Sequence, residues 1–382
     1  MKKQIVALAM LLMLSSASVL AVDVQLHGFG TAGVAKSDSK FSVNDIGNEG
    51  PRPTFARDSR FGLNVSAKLS DRWDISSQFI TKANSFEPIT AQFFFIRLHA
   101  SSQFNIRAGR MIAPTWLLSE QIEVGLTYPW VRLPYEVYIL NPLRFFDGLS
   151  VAWTQQMGDW SLGIEVMGGS STYKDKSFDD SKISYVNMPE TFGGNVTLSD
   201  DKHVLLRASY VNALINGTAN ALVAASTIYP SMPIGSITVP STLFNSERGQ
   251  LISIGGKFDI GNFLVMTEAA RRIITGNYLA VANSAYLTVG YHVGELMPFA
   301  SGSWLGNLLG TGWPDPDPAT IATATTSLSP LDNQYTLSGG VNYRVSPSVV
   351  WKLQYDYVRT NNTNAVMSKN AQVVSTSLDF VF

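Results

Sequence analysis

The chain has 382 residues, no cysteine and four histidines, with 28 Lys plus Arg against 29 Asp plus Glu and a formal net charge of −1. Without cysteine there is no disulfide framework and no cysteine-ligated zinc or iron–sulfur site, and so even a charge balance argues against a nucleic-acid partner. Length alone would suggest two or three soluble domains, yet no helical period persists over several turns and no linker interrupts the chain, so one continuous β architecture fits better.

Met1–Ala21 has a positive start (Lys2, Lys3), an apolar middle from Ile5 to Leu14 and a small-residue exit at Val19-Leu20-Ala21, the pattern of a cleaved secretory signal peptide. Residues 22–382 are then the mature domain, and loss of Lys2 and Lys3 leaves 26 basic residues against 29 acids, a net of about −3. No later stretch offers the eighteen or so apolar residues of a spanning helix, so a membrane can be crossed only as strands.

Gly28-Phe29-Gly30-Thr31-Ala32-Gly33 follows a strand-like Val22–Leu26 and matches the dinucleotide-binding fingerprint. The fingerprint needs a helix opening at its last glycine, whereas Lys36–Pro53 is polar and rich in Gly, Pro, Ser and Asp. Small inward-facing residues on a first strand account for the glycines instead.

From Arg60 the chain alternates. Phe61, Leu63, Val65, Ala67 and Leu69 interleave with Arg60, Gly62, Asn64, Ser66 and Lys68, and the same pattern returns over Gln334–Val345 and Val349–Tyr357. One greasy and one polar face is the pattern of a lipid-facing barrel strand. Short turns at Ser70-Asp71, Ser101-Ser102, Gly158-Asp159, Ser199-Asp200, Asp259–Gly261, Glu295–Met297 and Ser346–Ser348 are separated by long segments. Seven such turns, with both termini on the same side, predict about sixteen strands in a closed antiparallel all-β barrel. Trp73, Trp153, Trp160, Phe258, Phe263, Trp351, Phe380 and Phe382 sit beside these turns as an interfacial aromatic girdle would.

Ile89–Ala100 and Phe104–Arg110 keep their apolar faces matched only across a three-residue turn, which sets Arg97 opposite Arg107. Like charges facing each other call for counterions, either mobile anions or the glutamates of the next loop. That loop, Met111–Phe146, combines Glu120, Glu123 and Glu136 with Arg132, Arg144 and several aromatics, and is too long for a passive connection. It is expected to fold into the lumen; the alternative is an external flap. Leu214–Arg248 and Leu305–Asn333 are expected to be external loops.

Inward parity selects Arg60, Lys68, Arg97, Arg107, Arg207, Lys257, Arg272, Arg344 and Lys352 against Asp23, Asp74, Glu165, Glu268, Asp356 and Asp379, a wall that leans basic and suggests a weak anion preference. His27, His99, His203 and His292 fall on separate strands without metal-ligand spacing, and no G-x-S-x-G elbow is present. No cofactor is expected.

Leu26-His27-Gly28-Phe29-Gly30, Ser59-Arg60-Phe61-Gly62-Leu63, Arg107-Ala108-Gly109-Arg110 and a last strand ending Leu378-Asp379-Phe380-Val381-Phe382 resemble the Gram-negative trimeric porins over essentially all of the mature length. The resemblance implies a sixteen-stranded barrel in the outer membrane of a Gram-negative bacterium, contact with its lipid and lipopolysaccharide, and a homotrimer. It also implies passive diffusion of small hydrophilic solutes and ions, no enzymatic activity, and a third external loop folded inward. Carried onto this chain, the pore constriction would be Arg60, Arg97, Arg107, Arg110, Glu120 and Glu123. Rival readings are a substrate-specific channel of sixteen to eighteen strands, whose Trp116, Trp130, Tyr135 and Tyr138 stack on a sugar-like ligand, an outer-membrane hydrolase, and an adhesion barrel.

Overall fold

The computed structural model describes residues 23–38, 52–83, 88–141, 144–175, 184–218, 242–274, 281–308, 334–360 and 370–382. The signal-peptide segment and most of the two expected external loops lie outside these residues. Sixteen strands follow in order. The first eight are β1 (Asp23–Ser37), β2 (Arg60–Lys68), β3 (Trp73–Lys82), β4 (Thr90–His99), β5 (Phe104–Ile112), β6 (Phe145–Met157), β7 (Trp160–Asp175) and β8 (Ser184–Ser199). The second eight are β9 (Val204–Thr218), β10 (Thr242–Ile260), β11 (Phe263–Ile274), β12 (Val281–Tyr291), β13 (Leu296–Leu308), β14 (Gln334–Ser346), β15 (Val349–Thr360) and β16 (Asn370–Val381).

Each strand pairs antiparallel with its sequence neighbours, and β1 pairs with β16, so the sheet closes into a barrel without a free edge. All seven short turns fall between strands as expected, and Arg97 lies opposite Arg107. Side-chain alternation sets what each face meets. Phe94 (55% exposed), Leu149 (58%), Ile254 (64%) and Leu337 (56%) stand on the outside, an apolar exterior suited to hydrocarbon rather than water.

The closing seam explains two of the first-strand glycines and corrects their expected direction; Gly33, in phase with Phe29 and Thr31, faces inward as expected, against Asp58. Gly28 and Gly30 face outward, where the rings of Phe382 and Phe380 lie over them; a Cβ at Gly28 would come within 2.1 Å of the Phe382 ring. The backbones of Gly28 and Phe382 exchange two hydrogen bonds of 2.8 and 2.9 Å. Phe382 stacks on Phe61 at 6.0 Å between centroids and on Phe380 at 6.4 Å, a geometry that adds to the area buried. β1 runs unbroken through the whole Gly28–Gly33 motif, with no helix to receive a pyrophosphate.

The interior holds an apolar core. Residues of the β5–β6 loop pack with Leu251, Leu264, Met266, Ala282, Tyr286, Met297, Phe299 and Leu305 of β10–β13. A second cluster joins Phe95, Met111, Phe146, Met167, Met188 and Val211 on β4–β9.

Candidate functional site

The long β5–β6 loop enters the barrel rather than leaving it. Its aromatic and aliphatic content, odd for an external loop, forms one face: Trp116, Leu117, Leu118, Tyr128, Trp130, Val137 and Leu140 are all buried against the wall. Burying a side chain of this size contributes about 1.5–3 kcal/mol, so the loop is held as firmly as a core element.

Polar contacts fix its path. On the first leg the Ser253 hydroxyl donates to the Thr115 carbonyl at 2.5 Å and the Leu117 N–H to Glu268 Oε1 at 2.8 Å. Arg207 on β9 donates to the Trp116 carbonyl at 3.0 Å and to Glu120 at 2.8 Å. A 3₁₀ turn at Ser119–Gln121 then sends the chain across the bore. At Glu123 it reaches the other side, where Lys82 of β3 lies 2.6 Å and Arg60 of β2 4.0 Å from the carboxylate. Since β9 and β2 lie nearly opposite in the ring, Glu120–Glu123 is a strap across the barrel.

Beyond the strap the loop is clamped to β15, to β16 and to Asp58 in the segment that leads into β2. Lys352, only 1% exposed, donates to the carbonyls of Gly125 (2.6 Å), Tyr128 (2.7 Å) and Trp130 (3.0 Å) and pairs with Asp379 at 2.9 Å. Gly125 permits this approach, since a Cβ there would lie 2.1 Å from Asp379 Oδ1. The Val131 N–H donates to Gln354, and Arg132 holds Asp58 through Nε (2.9 Å) and Nη2 (2.7 Å). In the short helix Tyr135–Tyr138, fully buried Glu136 accepts from Ser303 (2.6 Å), Gln334 (2.8 Å) and Thr336. Trp130 Nε1 donates to Thr288 at 3.1 Å. The loop then returns past Arg272 of β11 to Arg144, which lies 3.2 Å from Glu123.

Glu123 is the electrostatic centre of the strap. Burial pushes its carboxyl toward the neutral form, but Lys82, Arg144 and Arg60 outweigh burial and hold its pKa at about 2. One carboxylate facing three cations leaves two positive charges in surplus. Tyr128 beside it is driven up to about 12, by burial first and then by Asp379 and Glu123, against the opposing pull of Arg60, which donates to its hydroxyl at 2.5 Å. Arg144 is 55% and Glu120 46% exposed, so they present charge to the lumen, whereas Glu123 is enclosed.

The expected constriction residues are therefore divided. Arg60 and Glu123 meet at one end of the strap, and Glu120 holds the other end through Arg207. Arg97 and Arg107 line the facing wall and do not use the loop glutamates as counterions. Arg97 pairs with Asp74 at 3.4 Å; Arg107 pairs with Glu165 and donates to Ser150. Both guanidinium groups also sit 5.6 Å from the Phe95 ring. Arg110 departs from expectation altogether. It faces outward, opposite exposed Phe94, and forms a two-bond pair with Asp147 at 2.8 and 2.9 Å. Lys82, Arg144, Arg207 and Lys352 carry the arrangement without having been singled out for it. Arg207 and Lys352 were already on the inward parity count, and extending β3 through Lys82 would have added a third.

No family model matches the sequence, and no curated protein matches it. Solved structures do. A loop L8 deletion mutant of OmpT, an outer membrane protein of Vibrio cholerae, aligns at TM-score 0.58 and 10% identity, covering 95% of this chain and 100% of its own. The outer membrane channel DcaP of Acinetobacter baumannii aligns at 0.58 and 12%, covering 96% and 99%. An anion-selective porin from Comamonas acidovorans aligns at 0.57 and 10%, covering 94% and 100%. The fold is thus that of outer-membrane barrels, porins among them.

Proposed function

We propose that the protein is an outer-membrane porin of a Gram-negative bacterium: a water-filled channel for passive diffusion of small hydrophilic solutes and ions, weakly anion-selective, with no chemistry of its own. Solutes pass between the Glu120–Glu123 strap and the wall of β4–β8, where Arg97 and Arg107 stand. The observation that carries the anion preference is the gathering of Lys82, Arg144 and Arg60 on the single carboxylate of Glu123, because fixed charge at a narrow point biases which ions enter. The apolar exterior supports contact with lipid and lipopolysaccharide. A homotrimer is supported by the resemblance and by OmpT of Vibrio cholerae, of which a trimer form has been solved. A sugar-stacking channel is disfavoured, since Trp116 and Trp130 are turned into the core.

The test is planar-bilayer recording of the purified protein in a salt gradient. Ohmic steps with a reversal potential favouring chloride over potassium are expected, and Arg144→Glu, which alters an exposed charge, moves that potential toward cation preference. Absence of steps, or cation preference in the unmodified protein, overturns the reading.

A further inference from the structure

Arginine is used in one way repeatedly in this barrel. Arg132 grips Asp58 with Nε and Nη2, at 2.9 and 2.7 Å, and Arg110 grips Asp147 with the same two atoms, at 2.8 and 2.9 Å. This edge of the guanidinium presents two parallel N–H groups matched to the two oxygens of a carboxylate. On Arg272 the same edge is empty. Its Nη1 makes one long bond, 3.3 Å, to the Leu140 carbonyl, while Nε and Nη2 are both buried and have no acceptor.

Among the described residues the surroundings offer no acceptor for Nε or Nη2. Arg272 is the last inward polar residue of β11, between Ala270 and Ile274 on its own strand and level with Leu251 of β10 and Ala282 of β12. Residues 275–280, which follow in sequence, include no acidic residue. Glu268, the other inward charge on β11, lies four residues away, roughly 13 Å along a strand. Ser284, one inward position below Ala282, also leaves its hydroxyl unbonded. Two guanidinium donors with no acceptor, set among apolar neighbours that sharpen the attraction, suit an anion.

We infer that Arg272 is a binding subsite for the carboxylate group of a permeating solute, on the external side of the strap and separate from the Glu123 cluster. Its empty edge takes the two carboxylate oxygens, as Arg132 takes Asp58; the side chain as a whole is partly exposed while Nε and Nη2 are buried, so the incoming carboxylate displaces the apolar side chains that cover them. The subsite deepens the channel reading and rests on it, since it would gather organic acids before the constriction.

The probe is acetate, exchanged for chloride at constant ionic strength, on the full-length folded protein. Acetate should lower chloride conductance saturably, with half-effect at least tenfold higher in Arg272→Gln and intermediate in Arg272→Lys, which keeps the charge but loses the fork. No saturable effect in the unmodified protein, or one that survives Arg272→Gln but disappears in Arg144→Gln, overturns the proposal and assigns the effect to the strap. A second readout does not require a pore. In detergent, acetate should raise the thermal midpoint of the unmodified protein above its chloride value and leave that of Arg272→Gln unchanged. If no conductance steps occur, the channel reading fails, and this pair of midpoints alone decides for or against the subsite.

Discussion

At the scale of single residues, Glu123 shows how charge holds the strap, through ion pairs that are also hydrogen bonds from Lys82 and Arg144. Its carboxyl is depressed from 4.5 to about 2 in the folded protein, a displacement worth on the order of 3 kcal/mol. A depressed carboxyl contributes fully above its unfolded value and loses that contribution as pH falls through its folded one. The window is therefore pH 4.5 down to 2. The thermal midpoint of the unmodified protein should exceed that of Glu123→Gln at pH 7, and the gap should close across this window. A gap that stays constant to pH 2 would mean that Glu123 acts by shape and not by charge. Residue-level reading of the sequence did well where parity decides: it placed Arg60 inward and Arg97 against Arg107. It failed where partners decide. Nothing in alternation says that Arg107 would find Glu165 across the sheet. Arg110, three residues on and so of opposite parity, faces outward as alternation requires; only the resemblance set it in the constriction.

At the scale of elements, the β5–β6 loop behaves as an interior segment. Its length and its glutamates pointed inward, but its route could not be read from the chain, because Trp116, Leu118, Trp130 and Leu140 have no fixed period and acquire a common face only by packing on β10–β13. The clamp at Lys352 is the most exacting part of that route. Removing the ammonium leaves Asp379 buried without its partner and frees three loop carbonyls, a loss of about 3–5 kcal/mol for a buried pair. Lys352→Met should still yield a closed barrel, with unaltered strand content by circular dichroism, but the loop should become sensitive to added protease and single-channel current noisier and larger. Unchanged protease resistance and conductance would show that the apolar face alone holds the loop.

For the whole molecule, closure of the ring depends on the seam between β1 and β16. Strand number was legible because turns of Asp, Ser and Gly recur at barrel spacing, and the closing pair followed from the need to leave no edge. That Gly28 and Gly30 are seats for the terminal phenylalanines was not legible, since a glycine carries no parity signal of its own. Gly28→Val would drive a side chain into the Phe382 ring, an overpacking of about 1–3 kcal/mol at the pairing that closes the ring. The variant should refold in lower yield, judged by the fraction migrating as compact species on unheated gels, and Phe382→Ala in the same chain should recover part of the loss. No deficit in Gly28→Val would remove the seat from the account of closure.

The strap and its clamps also make the barrel lopsided. Behind the loop, β10 to β16 carry an inner wall packed like the centre of a water-soluble protein, where each side chain answers to several neighbours. Across the bore, Arg97, His99, Arg107 and Glu165 are partly exposed and find their ionic partners within the wall itself, through Asp74 and one another. Tolerance to substitution should divide along the same line, so that what the passage admits can be retuned on one arc of the cylinder while the opposite arc keeps the molecule standing.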